Sequence, residues 1–166
     1  AKNIANYLLV EEDNMPEDMV PLWDFDVAEF ASDGEEMVYL FNQWVNIFED
    51  KETTEYYKQL RDVSSASIIA SALYELYWYT KDELYKEKAD KMIESLSSDE
   101  YRAELGTNGG FILKHSVGSL PHSLLNIEAG RPNDHNIDVP LNYADYYFLE
   151  ALIRKGRVEK GENPVR

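Results

Sequence analysis

RDVSSASIIASALYELYWYT, residues 61–80, is the stretch on which the fold turns. Ala66, Ile69, Ala70, Leu73, Leu76 and Tyr77 recur at intervals of three and four, the period that gathers apolar side chains on one face of a helix. Asp62 or Ser64 stands where a helix needs an acceptor for its first free N–H groups. Ser65, Ala66, Ser67, Ala70, Ser71 and Ala72 crowd the early turns. Their short side chains let another helix approach closely or leave room for a pocket. TKDELYKEKADKMIESL (80–96) follows almost without a gap. Leu84, Tyr85, Ala89, Met92, Ile93 and Leu96 form its apolar stripe, and Thr80 with Glu83 fits a capping box. Helices joined so closely are expected to fold back as an antiparallel hairpin.

Outward from this pair the helical signal continues. YADYYFLEALIRK (143–155) predicts a last helix that starts near Asn142 and ends by Gly156. Residues 33–57 carry Val38, Phe41, Trp44, Val45 and Phe48 at loose helical spacing, which fits one helix or two short ones. NIANYLLV (3–10) reads as the tail of a helix, so the chain is expected to begin inside an element. SSDEYRAELGTNGG (97–110) reads as a short helical turn ending in glycines. GGFILKHSVGSLPH (109–122) fits a short strand or a loop, and residues 123–142 have loop composition. Nothing supports a parallel sheet. The expected fold is all-α, built from antiparallel helix hairpins with long loops.

Composition narrows the function. The 166 residues are enough for one domain with a sizeable core, and 44% are hydrophobic. Sixteen basic against 32 acidic residues give a net charge of -16. That balance argues against nucleic acid, whose phosphates require a basic face, and against an anionic membrane surface. A small anionic substrate is still compatible, because a few basic residues can reverse the sign inside one pocket. Absence of cysteine removes disulfides, zinc–thiolate sites, iron–sulfur clusters and cysteine nucleophiles. No apolar run reaches the 18 or so residues that span a bilayer. The first residues lack the long apolar core of a signal peptide. The compartment stays open between periplasm and cytoplasm for a chain expected to be soluble, and neither a cofactor nor a metal is expected.

Several polar residues stand out against this background. Asp24 and Asp26 alternate with Trp23 and Phe25, which fits a catalytic pair, part of a metal site, a loop that shapes or braces a pocket, or plain capping and turn hydrogen bonds. Two carboxylates so close in sequence rarely flank a scissile glycosidic bond from opposite sides, so the bracing loop is the preferred reading. Arg61 and Asp62 fit either a helix cap with a remote ion pair or the mouth of a pocket at a helix N-terminus. Lys114, His115 and Ser116, beside Gly118, can cradle a carboxylate or a sugar hydroxyl, or simply form a satisfied polar loop. His115, His122 and His135 lack the spacing of a metal motif. Asn142, Tyr143, Asp145 and Tyr146 open the last helix, where aromatics can stack on sugar faces or fill the core.

Four segments taken in order carry a resemblance: VPLWDFD (20–26), RDVSSASIIASALYEL (61–76), GGFILKHSVG (109–118) and IDVPLNYADYYFLEAL (137–152). Together they resemble the C-terminal part of the unsaturated glucuronyl hydrolases, glycoside hydrolase family 88. The resemblance implies a partial (α/α)6 toroid over residues 1–155, an extra helical insertion at about 33–57, and a polar tail at 156–166. It implies a substrate too, an oligosaccharide ending in a 4,5-unsaturated uronic acid. In that family an aspartic acid protonates the C4=C5 enol ether, water adds at C5, and the hemiketal opens to release the sugar. A carboxyl doing this must hold a proton near neutral pH, through burial or a like-charged neighbour.

The family's two catalytic aspartates lie upstream of anything matching WDFD, so the resemblance assigns no catalytic residue here. By position Trp23, Asp24, Arg61, Asp62, His115, Asn142, Tyr143 and Asp145 match motif residues that face or brace the substrate cavity. Lys114 together with Arg61 would supply positive charge to a uronic carboxylate. Residues 33–60 and the loop 122–136 look longer than the family's connections, and Ala144 stands where many members have glycine. Part of a ring exposes apolar helix faces, so pairing with a missing N-terminal half or self-association is expected. A non-catalytic carbohydrate-binding or assembly module and a structural all-α partner domain are the alternative functions.

Overall fold

The computed structural model describes residues 1–10, 15–24, 56, 59–119 and 136–165. The expected insertion at 33–57 (Tyr56 apart), Asp26, and the loop that carries His122 and His135 lie outside the described residues. Among the described residues there are four α-helices: α1 (Lys2–Val10), α2 (Val63–Thr80), α3 (Glu83–Leu96) and α4 (Asn142–Glu159). β-pairing among them is limited to isolated bridges, and no helix is long and apolar enough to cross a membrane.

α2 is the centre of the packing, with α3 on one side and α4 on another. Its N-cap is Asp62, whose side chain accepts from the Ser64 backbone N–H. Val63, Ser64, Ala66, Ser67, Ala70, Ser71, Leu73 and Tyr74 are buried in it, and Ala144, Phe148, Ala151 and Val158 in α4. Small residues on both helices allow the backbones to approach. The turn into α3 takes two residues. Lys81 adopts a left-handed conformation (φ 58°) as the C-cap of α2, and Asp82 caps α3 by accepting from the Leu84 N–H.

The capping box expected of Thr80 and Glu83 does not form. Thr80 is still the last residue of α2 and its hydroxyl donates to the Leu76 carbonyl, 2.8 Å away. Glu83 instead accepts from the Tyr77 hydroxyl. The last helix also departs from expectation. It runs past Gly156 to Glu159, because Val158 is buried and Arg157 donates to the Pro164 carbonyl, which folds the following residues back. Residues 97–110 carry short helical turns, as expected: the Arg102 N–H donates to the Ser98 carbonyl at 2.8 Å, and Asn108–Gly110 form a single 3-10 turn that ends in glycine. Arg102 bridges Leu113 in antiparallel fashion, supported by the Ala103 N–H to Ile112 O and Lys114 N–H to Tyr101 O bonds at 2.8 and 2.9 Å. Gly109 and Gly110, at φ 64° and 89°, make the reversal that this pairing needs.

A polar network ties the three central helices together. Asp90 of α3 accepts from the Tyr74 hydroxyl at 2.8 Å and from Lys86 at 2.6 Å, and it pairs with Lys155 of α4. Burial pushes the Asp90 carboxyl up, but the hydrogen bonds from Lys155, Lys86 and Tyr74 outweigh it and hold the group below the ordinary carboxylate range. Burial, reinforced by the bond to Asp90, pushes the Tyr74 hydroxyl far up, so it stays a donor. On the α2–α4 side, Arg154 donates to the Ser71 carbonyl at 3.0 Å and to Glu75 at 2.9 Å.

Candidate functional site

The residues singled out in the sequence converge in part at the N-terminus of α2. Two extended pieces meet there. Leu22 bridges Arg61, the Trp23 N–H donates to the Leu60 carbonyl, and the Asp62 N–H donates to the Pro21 carbonyl. The half-buried Trp23 and Asp24 are thereby fixed beside Arg61 and Asp62. A third strand-like piece arrives from the other direction: the His115 carbonyl accepts from the Val63 N–H at 3.1 Å. The start of α2 is thus capped from both sides, once by a side chain and once by a loop carbonyl.

Asp62 is 7% exposed. Its Oδ1 accepts from the Ser64 N–H at 3.0 Å and the Ser64 hydroxyl at 2.6 Å, and its Oδ2 accepts from the Ser65 hydroxyl at 2.6 Å. Asp62 thus caps α2, as one of the two expected readings has it, and meets one of the first free N–H groups of the helix. Tyr143, the second residue of α4, sits close by. Burial and the Asp62 charge push its hydroxyl up, so it remains a neutral donor at neutral pH. Asn142, the first residue of α4, is exposed.

Arg61 does find a remote partner. Its guanidinium donates to the Val20 carbonyl at 2.7 Å and to Asp18 at 3.3 Å. Asp18 is a hub that sequence reading missed. Besides Arg61 it accepts from the Val20 N–H at 3.1 Å and from the Tyr101 hydroxyl at 2.6 Å, and its carbonyl accepts from Ser95. Burial and the Asp18 charge push the Tyr101 hydroxyl up. Asp18 and Tyr101 lie 83 positions apart, and nothing local in PED or in DEY marks them as partners.

His115 and Asp138 form the other half of the site. His115 Nδ1 and Asp138 Oδ1 are 2.7 Å apart, and the imidazole meets the Tyr101 ring edge-on at 6.2 Å. Both residues have left-handed backbones, φ 66° and 52°, a conformation that costs a non-glycine residue about 1 kcal/mol or more. The loops around them hold them there. Ser116 and Val139 exchange two 2.9 Å backbone bonds. At Gly118 a Cβ would stand 3.0 Å from Asn136 Oδ1, so the Asn136 side chain would have to shift to admit it. Asp145 of α4 anchors the loop from below, accepting from the Ile112 and Leu113 N–H groups at 2.8 and 2.9 Å.

Arg61, His115, Tyr101, Asp138, Gln59 and Glu100 line a cavity of about 210 Å³. That is below the roughly 300–1,000 Å³ of sites that enclose a small molecule, so it accommodates one edge or substituent of a ligand. Lys114 does not join it. Its ammonium donates to the Asp99 carbonyl at 2.8 Å, and it lines a separate, open depression of about 990 Å³ with Arg102, Leu105 and Phe111. The structure therefore sets Lys114 and Arg61 on two different cavities. Among the described residues no group of three His, Asp or Glu side chains converges as a metal site requires.

Comparison with known proteins agrees with this arrangement of helices and loops. No protein-family model matches the chain. An unsaturated glucuronyl hydrolase of Formosa agariphila is 38% identical over 146 residues, which is 88% of this chain but 27% of that protein. A crystal structure of an unsaturated glucuronyl hydrolase specific for heparin matches with a TM-score of 0.67 and 36% identity, over 98% of this chain and 34% of its own. The expected fold, an all-helical part of an (α/α)6 toroid, is borne out. The chain spans about a quarter to a third of the length of these relatives.

Proposed function

The chain is a homologue of the unsaturated glucuronyl hydrolases along part of their length, and from that premise we propose that it forms one wall of a glycosidase cavity and leaves the proton donor to another part of the enzyme. The complete enzyme removes a 4,5-unsaturated uronic acid from the end of an oligosaccharide. It does so by protonating the C4=C5 enol ether and adding water at C5, after which the hemiketal opens and the C1–O bond breaks.

One observation carries the division of labour. A proton donor must present a carboxyl O–H to the substrate, and four carboxylates at this site, those of Asp62, Asp18, Asp145 and Asp138, are engaged within the protein. Asp62 accepts from two serines, Asp18 from Arg61 and Tyr101, and Asp145 from two backbone N–H groups. Asp138 is engaged by His115. What the site offers a ligand is the other kind of group. Arg61 and His115 line the cavity with basic side chains, and the exposed Tyr143 keeps its proton, which suits a uronic carboxylate and sugar hydroxyls. Trp23 and Asp24 brace this wall, Asn142 lies at its rim, and Lys114 serves the neighbouring depression.

The test is turnover of an unsaturated uronyl disaccharide by a full-length enzyme in which this chain replaces the matching 146 residues of the Formosa agariphila relative. Loss of the ultraviolet absorbance of the C4=C5 bond is expected, with no hydrolysis of the saturated counterpart. Equal cleavage of the saturated sugar, or of neither sugar, contradicts the reading.

A further inference from the structure

Asp18 is not among the residues that line the cavity of about 210 Å³, yet the two side chains that donate to its carboxylate, Arg61 and Tyr101, both do. Oδ1 accepts from Arg61 Nη1 at 3.3 Å and Oδ2 from the Tyr101 hydroxyl at 2.6 Å. Asp18 is itself anchored. Its carbonyl accepts from Ser95 of α3 at 2.6 Å, and its Oδ1 also accepts from the Val20 N–H. Met19, the next residue, is buried at φ 61°, a left-handed conformation that persists in a non-glycine residue only where its surroundings impose it.

What this turn holds is the basic side of the cavity. The Arg61 bonds to Asp18 and to the Val20 carbonyl both use Nη1. A guanidinium carries five N–H donors in a rigid fork, so among the described residues the rest of the fork stays open to a carboxylate. Tyr101 turns its hydroxyl to Asp18 and its ring to His115, whose imidazole it meets edge-on at 6.2 Å. Burial first, and the bond to Asp18 second, keep that hydroxyl protonated and donating. The Asp90 network is different in kind. Tyr74, Lys86 and Lys155 tie helices together, and none of them lines this cavity.

We propose that Asp18 and Tyr101 are positioning residues of the site, which hold the Arg61 fork and the His115 imidazole in fixed relation to receive one uronic carboxylate. An arginine already restrained loses less rotamer freedom when it binds. The pair therefore acts on affinity for the carboxylate and leaves the bond-breaking step alone. The proposal deepens the functional reading above and rests on it for the identity of the ligand.

In the full-length chimera with the Formosa agariphila relative, Tyr101→Phe keeps the ring and removes the tether, and Asp18→Ala removes the hub. Each is expected to raise KM for the unsaturated disaccharide about five- to tenfold with kcat within about twofold of wild type, the pattern of lost uniform binding. Asp18→Asn keeps an oxygen for Arg61 and should recover most of the loss. Tyr79→Phe, at an exposed tyrosine outside the site, should behave as wild type. Unchanged KM in Tyr101→Phe overturns the proposal whatever happens to the melting temperature, and so does a fall in kcat alone. A lowered KM overturns it as well, because Asp18 would then compete with the substrate for Arg61. A second readout needs no turnover. Heteronuclear NMR of the isolated chain should show separate, slowly rotating Arg61 Nη signals that average in Tyr101→Phe. Signals already averaged in the wild type, or unchanged in the variant, overturn the positioning. An inactive wild-type chimera, with Arg61 held in the isolated chain and released in Tyr101→Phe, removes the functional reading and leaves the positioning standing.

Discussion

α3 and α4 both pack on α2, and their free sides differ in kind. α3 turns Glu83, Glu87, Lys91 and Glu94 to water, while its apolar stripe of Tyr85, Ala89, Met92, Ile93 and Leu96 is buried. α4 has a buried stripe of the same quality and then a second one, uncovered. The contrast separates a helix with a polar outer face from one whose outer face is apolar. α3 is finished by solvent. α4 lacks a neighbour on its far side among the described residues, which fits a chain matching about a third of a solved relative.

The comparison can be broken most severely by removing side chains from the two faces of α4. Phe148→Ala, on the buried face, is expected to cost about 3–5 kcal/mol in urea unfolding of the chain. Leu149→Ser, one position on, should cost less than about 0.5 kcal/mol in the same assay. Similar losses for both would show that the outer stripe is already covered.

The tie between the two helices comes next. Asp90→Asn leaves Lys86, Lys155 and Tyr74 facing a neutral group, and about 1–3 kcal/mol of stability should go. The effect has a pH signature. Because the folded Asp90 carboxyl lies below its ordinary range, the unfolded chain binds that proton more readily. The stabilisation is therefore complete above the unfolded value of about 4 and is lost as pH falls through the lower folded value. Urea midpoints of wild type and Asp90→Asn should converge on acidification below about pH 4. A gap that stays constant into strong acid would assign the loss to packing rather than charge.

A smaller effect is expected at the start of α2. Asp62→Ala removes the cap and leaves Ser64 and Ser65 without their acceptor, for a loss of about 1–2 kcal/mol in thermal or urea unfolding. Smallest of all should be α3's outer face, where Glu87→Ala stays within about 0.5 kcal/mol of wild type.

These expectations draw on what the sequence showed and on what it hid. The period of Ala66, Ala70 and Leu73 and the serine-rich start behind Asp62 were enough to place α2 and its cap, because both signals are local. The α2–α3 turn was harder. Thr80 can cap a helix or end one, and only its bond to the Leu76 carbonyl decides. Gly156 was read as a stop, yet a glycine with open space around it is tolerated inside a helix that Val158 and Arg157 continue to anchor. At the candidate site, Arg61, Asp62, His115 and Tyr143 were visible as unusual residues. Their partners were not. Asp18 reaches Arg61 across 43 residues, Asp138 reaches His115 across 23, Asp18 itself meets Tyr101 across 83, and no local pattern encodes such meetings. Asp145 was picked out at the start of the last helix and turns out to anchor a loop 32 and 33 positions earlier.

The central claim is that this chain contributes a wall of a glycosidase without its acid. Incubating the 166-residue chain alone with an unsaturated uronyl disaccharide, and following the absorbance of the C4=C5 bond, tests it most directly. The account predicts no loss of signal above the buffer rate at any pH between mildly acidic and neutral. Steady turnover by the isolated chain would contradict it, and would return Asp24, Asp26 and Asp62 to consideration as the proton donor.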